Sequence, residues 1–301
     1  MRAVPPASLR AVPTVLFAVA CLLLAITTAR AAGPVDFGKA EFDAALAERK
    51  LKLKVDTELS LDPPETYRIT LYKVGAARIT GGDLRGLMYG LIEAAAQIRA
   101  TGHLKTTSGS PATAVRAVRM ALRSYDLTQP WFTADDRWRV YFQTLARSRL
   151  NRFSLVLPLA GADIERLRIL SETAAEFGVD FVLGIRDLAG DPQELYARIR
   201  GILDNCPMIR GLQVEAGDEP VRLYQEGVFA PVRESGRRVM LELRGADDRA
   251  DLLRAVSGSG VSLTVSGSEI DAPGPDFLAD HAMLYWTHGQ RSYDPAVQVP
   301  K

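Results

Sequence analysis

The sequence is short of the residues that build covalent or metal-held frameworks. Only two cysteines occur in 301 residues, and one of them, Cys21, lies inside an N-terminal apolar run. With that run removed Cys206 stands alone, so the chain can form no internal disulfide. The histidines, His103, His281 and His288, are scattered and make no H-E-x-x-H or comparable spacing, so no metal is expected. Charge of one sign is lacking too: 37 Lys+Arg against 36 Asp+Glu leaves a net charge of +1. That balance gives no polyanion-binding composition, so neither nucleic acid nor an anionic membrane is expected as partner. There is no phosphate cradle either. Gly81-Gly82 and Ser257-Gly258-Ser259-Gly260 read as turns rather than G-x-G-x-x-G loops, and no cofactor is expected.

Long apolar runs are also scarce. The clear one, Val15 to Ile26, follows Arg2 and Arg10 and precedes Ala29-Arg30-Ala31. It is too short to span a bilayer comfortably, and the small-x-small end is what a signal peptidase reads. Residues 1–31 are therefore expected to be a cleavable signal peptide and the protein periplasmic or secreted. The run continues beyond Cys21, against a lipoprotein. The rest of the chain, with 47% hydrophobic residues overall, suits one or two globular domains with a sizeable core.

What is present is pattern. Residues 33–105 read as a small α/β domain: a helix over 40–49, period-two strands at 51–55, 67–72 and 76–80, and a helix from Asp83 to about Ala100. That helix puts Leu84, Leu87, Met88, Leu91 and Ala95 on one face and stops at Gly102. Residues 106–115 read as a linker, Thr106 to Ala112 being rich in Thr, Ser, Gly and Pro. From 116 onward strands alternate with helices about every thirty residues, the size of a βα unit. Strands are expected at 119–125, 153–157, 181–185, 208–214, 239–243, 261–265 and 282–286. Helices are expected at 135–150 (with Thr133 and Asp136 as a capping pair), at 163–177, from Asp191-Pro192, and at 246–257. So many units predict a parallel sheet closed as a barrel, with a doubly wound sheet as the alternative. A full eight-fold barrel takes about 250 residues. The segment 116–301 is shorter, and Ser266 to Asp280 carries little helix. The fold class is thus α/β: a small α+β N-terminal domain followed by an incomplete TIM-like (β/α) barrel.

The fourth of these strands runs into Glu215-Ala216-Gly217-Asp218-Glu219-Pro220, a small-residue turn with two adjacent carboxylates at the rim where barrels keep their chemistry. Alternation puts Gln213 and Glu215 on one strand face, Glu242 of the fifth strand is a second inward carboxylate, and all three are candidates for meeting substrate. Glu215 competes with Glu219 as a general acid. A lone carboxylate in such a strand is more often one half of an ion pair, and Arg244 or Arg186 could satisfy Glu242. Asp-Glu-Pro, in turn, reads equally as a helix cap. Arg123, Tyr125 and Asp126 follow the first strand and are candidates for sugar hydroxyls, or for an ordinary polar rim. Trp131 and Trp286, near strand ends, are candidates for stacking on a pyranose, whereas Trp138 lies on a core stripe and Cys206 reads as buried.

Two motifs then carry a resemblance. Glu65-Thr66-Tyr67-Arg68-Ile69, followed by Ile79-Thr80-Gly81-Gly82-Asp83-Leu84-Arg85-Gly86-Leu87-Met88-Tyr89-Gly90, resembles the small N-terminal domain of β-hexosaminidases and α-glucuronidases. Leu145 to Phe153 resembles the stretch between first helix and second strand of the same barrels. Gln213 to Glu219 is similar to the H-x-G-G-D-E end of the fourth strand in family-20 hexosaminidases, with Gln213 in place of the histidine and Glu215 and Ala216 interrupting the pattern. Arg119 is what remains of the R-G-x-x-x-D first strand. Tyr285 to Pro295 looks more like the α-glucuronidase group of family 67. The resemblance implies a glycoside hydrolase acting on a glycan, with Asp218 and Glu219 as the catalytic pair. It also implies, as alternatives, an α-glucuronidase-like enzyme or a non-catalytic carbohydrate-binding relative.

Overall fold

A computed structural model describes residues 33–186, 188, 190–245, 249–257 and 263–266. Helix α1 (Pro34–Arg49) opens on a proline whose fixed φ suits the first helical position, and Asp36 Oδ2 accepts the Gly33 N–H at 2.9 Å. It starts six residues before the expected Ala40. Strand β1 (Lys54–Leu59) begins later than the Leu51-to-Val55 alternation suggests. Its ladder starts at Lys54, while Leu51 and Leu53 pack beside the core as half-buried side chains. Strands β2 (Tyr67–Lys73) and β3 (Ala76–Gly81) form a hairpin, and α2 (Leu84–Thr101) follows. The expected linker carries a further short strand, β4 (Thr107–Gly109), which pairs with β2 and completes a sheet of order β1-β3-β2-β4. Tyr67 and Ile69 point into the core and Arg68 and Thr70 outward, so one face is packed and the other solvated. Helix α2 buries Leu87, Met88, Leu91 and Ala95 as its period requires, but Leu84 in its first turn is 54% exposed.

Six strands make the second sheet: β5 (Ala117–Ala121), β6 (Arg152–Pro158), β7 (Asp180–Arg186), β8 (Ile209–Glu215), β9 (Met240–Arg244) and β10 (Leu263–Ser266). All neighbours are parallel, and their order in space is their order in sequence. A doubly wound sheet reverses its order at a switch point. This one never reverses, so it winds one way, as barrel strands do. Helices α3 (Asp135–Arg147), α4 (Ile164–Glu176) and α5 (Pro192–Asn205) link the first strands. The Thr133/Asp136 cap does not form, because Ala134 precedes α3 and Thr133 Oγ1 donates back to Pro130 O at 3.1 Å. Between β8 and β9 the chain runs as α6 (Val221–Tyr224), a π-helical turn (Gln225–Phe229) and α7 (Ala230–Glu234). Helix α8 (Ala250–Ser257) precedes β10.

Trp138 of α3 stacks on Phe142 and meets Phe153 of β6, which in turn packs on Phe181 of β7. This face of the sheet therefore carries the helix-packed core, and the alternate residues face the concave side. Trp138 is 2% exposed, and its indole N–H donates to Phe132 O at 2.9 Å. Trp131 packs on Trp138 and Phe132 instead of standing free at a strand end. Cys206 is buried, and burial pushes its thiol up to about 11. The expected signal peptide, the Ala246-to-Asp248 start of the last helix, most of the Ser266-to-Asp280 link and the Ala282-to-Trp286 strand lie outside the described residues. No helix among the described residues is long and apolar enough to cross a membrane.

One joint between the two sheets is a buried carboxylate. Glu65, held at φ +63°, accepts hydrogen bonds from Arg85 Nη1 (2.6 Å), Asn151 Nδ2 (2.8 Å) and Arg116 Nη2. Arg85 also reaches Asp180 Oδ1 at 2.9 Å. Arg116, Asn151 and Asp180 stand at the starts of β5, β6 and β7, so the small sheet docks on the N-terminal end of the parallel strands. Asp83 Oδ1 caps α2 through Gly86 N–H (2.6 Å) and takes the Glu65 N–H at 3.0 Å, tying both family-like motifs into the same knot. Glycine is needed at 82 and 86 because the chain passes so close: a Cβ there would lie well inside contact with the carbonyl oxygens of Pro63 and Thr66.

Candidate functional site

The candidate site lies at the opposite, C-terminal end. On the concave face, Arg119 Nε donates to Gln213 Oε1 at 3.2 Å and Gln213 Nε2 donates to Glu242 Oε1 at 3.0 Å. Glu242 faces Arg152 Nη1 across 3.8 Å, and Arg119 Nη2 forms an ion pair with Glu215. Gln213 is 2% and Glu242 0% exposed. These two, expected to meet substrate, instead bind one another inside the sheet. The partner of Glu242 is Arg152 at the start of β6, not Arg244 or Arg186. Arg186 turns its Nη2 to Leu122 O at 2.7 Å. Most barrel interiors are filled by branched apolar residues. Here part of the interior is a polar chain crossing four strands, and buried polar groups of this kind hold only when paired. Glu215 ends the chain at the rim, its side chain 42% exposed.

Beyond Glu215 the strand becomes the acidic turn. Asp218 is exposed and Glu219 half-buried. The cap reading does not hold. Pro220 occupies the N-cap of α6 without a side-chain cap, and Glu219 Oε2 accepts the phenol proton of Tyr224 at 2.8 Å. The same phenol oxygen accepts the Gly217 N–H at 2.9 Å. Arg249, in the next rim loop, donates to Glu219 O at 3.0 Å and to Gly217 O. Tyr224 and Arg249 were not legible as site residues. Tyr224 reads as one more apolar helix residue, and Arg249 lies thirty residues on with no motif around it. Arg123 and Tyr125 stand exposed at the β5 exit. Asp126 Oδ2 accepts the Arg123 N–H at 2.7 Å, so that carboxylate first serves its own turn. Trp286 lies outside the described residues. Among the described residues no group of three or more His, Cys, Asp or Glu stands placed to hold a metal ion.

The mixed α/β architecture, with a sequentially wound parallel sheet consistent with part of a TIM-like barrel, is a fold shared with solved glycoside hydrolases. No protein-family model and no curated protein matches the sequence. Among solved structures, the chain is similar to a family GH138 enzyme targeting pectin rhamnogalacturonan II, with a TM-score of 0.66 and 17% identity over 77% of this chain and 46% of that one. A family 20 β-N-acetylglucosaminidase superposes with a TM-score of 0.53 and 14% identity over 76% of this chain and 69% of that one. The family 20 exo-β-N-acetylglucosaminidase of Vibrio harveyi gives a TM-score of 0.53 and 11% identity over 82% and 60%. The chain thus spans less than half the length of the GH138 enzyme. At such identities the likeness is one of fold.

Proposed function

We propose that the protein is a glycoside hydrolase acting at the C-terminal rim of the parallel sheet, with Glu219 as general acid/base and Asp218 as its partner. The observation that carries this reading is the placement of Glu219: past the end of the fourth barrel strand, half-buried, with its carboxylate held by Tyr224 and its peptide by Arg249. Glycoside cleavage needs a carboxylic acid to protonate the leaving oxygen and a second group to support the cationic anomeric carbon. For a hexosaminide the substrate's own acetamido oxygen forms the new bond to that carbon as the glycosidic C–O bond breaks. Asp218 orients the amide, and Glu219 then takes a proton from the water that opens the ring so formed. The charged start of the chain and its Ala29-Arg30-Ala31 end support delivery outside the cytoplasm.

One observation favours a second reading, a non-catalytic carbohydrate-binding relative. Both concave-face carboxylates, Glu215 and Glu242, face arginines, Arg119 and Arg152, so among the described residues of β8 and the turn after it the acids not paired with an arginine side chain are Asp218 and Glu219. Hydrolysis of a panel of aryl glycosides, including an N-acetyl-β-hexosaminide and an α-glucuronide, by wild type and Glu219→Gln separates the two. Catalysis by Glu219 predicts a loss of about 10²- to 10⁴-fold in the variant. Turnover of the glucuronide alone would move the substrate to the α-glucuronidase-like alternative. Saturable oligosaccharide binding without turnover selects the second reading, and the absence of both sinks each.

A further inference from the structure

The exit of β8 is held more firmly than a surface turn requires. We infer that Tyr224 and Arg249 are positioning residues for Glu219, the tyrosine fixing the carboxylate and the arginine fixing the peptide that carries it. This rests on the acid/base role proposed for Glu219.

Three observations converge. First, a buried phenol must find partners for its hydroxyl. That of Tyr224 is used twice within the turn, donating to Glu219 Oε2 at 2.8 Å and accepting from Gly217 N–H at 2.9 Å. Second, Arg249 reaches across from the neighbouring rim loop. Its planar fork donates to the carbonyls of Gly217 and Glu219 while Asp251 holds the other edge at 3.1 and 3.2 Å. The guanidinium also lies 5.9 Å from the Tyr224 ring centre, within cation–π range of it. Third, the helix changes register immediately after Tyr224. The π turn Gln225–Phe229 lets Tyr224 face the acidic turn while Val228, Phe229 and Val232 remain in the core. Such turns sit disproportionately at functional sites.

The arrangement has a chemical consequence. Burial first, then the bond to Glu219 and its charge, push the Tyr224 phenol up to about 12, with the Gly217 N–H and Arg249 opposing. The phenol therefore keeps its proton at any ordinary working pH, and Glu219 Oε2 stays an acceptor. The proton that Glu219 transfers is confined to Oε1, which fixes the side of the carboxyl that meets the glycosidic oxygen.

The test uses the full chain labelled with ¹³C at the tyrosine ring carbon bearing the hydroxyl. In Glu219→Gln the ionisation of Tyr224 moves to lower pH, because a charged acceptor is lost. An unmoved ionisation overturns the pairing whether or not any sugar is cleaved. On an aryl glycoside that wild type cleaves and Glu219→Gln does not, Tyr224→Phe is expected to lose about 10- to 100-fold in kcat with KM held within about twofold. A tyrosine that only supports packing would lower stability and leave kcat alone, which would also overturn the inference. Arg249→Lys gives the same split in smaller degree, and serves if Tyr224→Phe does not fold. If wild type cleaves no aryl glycoside, the role of Glu219 is what fails, and the titration still decides the pairing.

Discussion

Two carboxylates at opposite ends of the parallel sheet, Glu65 and Glu219, are held in different ways. At the N-terminal end Glu65 is buried and saturated by Arg85, Arg116 and Asn151. At the C-terminal end Glu219 is half-buried and its carboxylate has, among the described residues, a single neutral donor, the Tyr224 phenol. A carboxylate enclosed by arginines cannot meet a substrate, whereas one held on a single side can. In barrels generally the lower end serves stability and the upper end chemistry, and the upper end is where the role proposed for Glu219 places it. The contrast also locates the family-like motifs: Glu65, the Gly81-Gly82-Asp83 turn, Arg85 and Asn151 are all parts of the lower knot, so their resemblance speaks for architecture rather than activity.

The sharpest way to break this contrast is Glu65→Ala. Removing one member of a buried charged cluster leaves Arg116 without its carboxylate and Arg85 with Asp180 alone, which costs about 3–5 kcal/mol. Urea unfolding is the measurement, and a loss below about 1 kcal/mol would mean that Glu65 does not hold the sheets together. Next in size is Gly82→Ala. Its Cβ would also lie 2.6 Å from Asp62 O, against backbone that cannot rotate away. Overpacking of that kind costs about 1–3 kcal/mol. Wild-type stability in the variant would show that the 62–66 loop yields.

Acid should act on the lower knot. Burial raises the Glu65 carboxyl, but the hydrogen bonds from Arg116, Arg85 and Asn151 outweigh it and hold the group below its usual 4.5. A carboxylate whose folded value is depressed contributes stability that is present above the unfolded value and lost as pH falls through the folded one. Stability should therefore decline below about pH 4.5, and the decline should be shallower in Glu65→Gln. Parallel acid curves for the two proteins would place the acid sensitivity elsewhere, for example at Glu41, which Arg147 and Arg99 also hold low against its burial.

Much of this frame was legible because it follows from periodicity. The apolar stripes of α2, α3 and α5, the 3.6 spacing of Leu195, Ile199, Ile202 and Leu203, and the strand cadence from β5 to β10 are local signals. The address of Asp218 and Glu219 came with that cadence. Contacts between distant segments were not legible. Nothing in one dimension says that Arg152 rather than Arg244 meets Glu242, that Asp83 serves Glu65, or that Arg249 reaches back to Gly217. Short elements failed for a related reason. Strand β4 has three residues and exists because β2 offers it an edge, and the π turn after Tyr224 disturbs the very period by which a helix is read.

The smallest expected effect sharpens the contrast from the upper side. Asp218 is exposed, follows the last ladder residue of β8, and bears on its surroundings through the charge of Arg249 rather than through packing. A surface substitution with no buried contact to lose changes stability by no more than about 0.5 kcal/mol. Asp218→Ala should therefore shift the urea midpoint hardly at all and leave the slope unchanged, while removing the group proposed to orient the substrate amide. If the midpoint instead falls by more than about 1 kcal/mol equivalent, the acidic turn is a stability element like the Glu65 knot. The two ends of the sheet would then differ in exposure without differing in purpose.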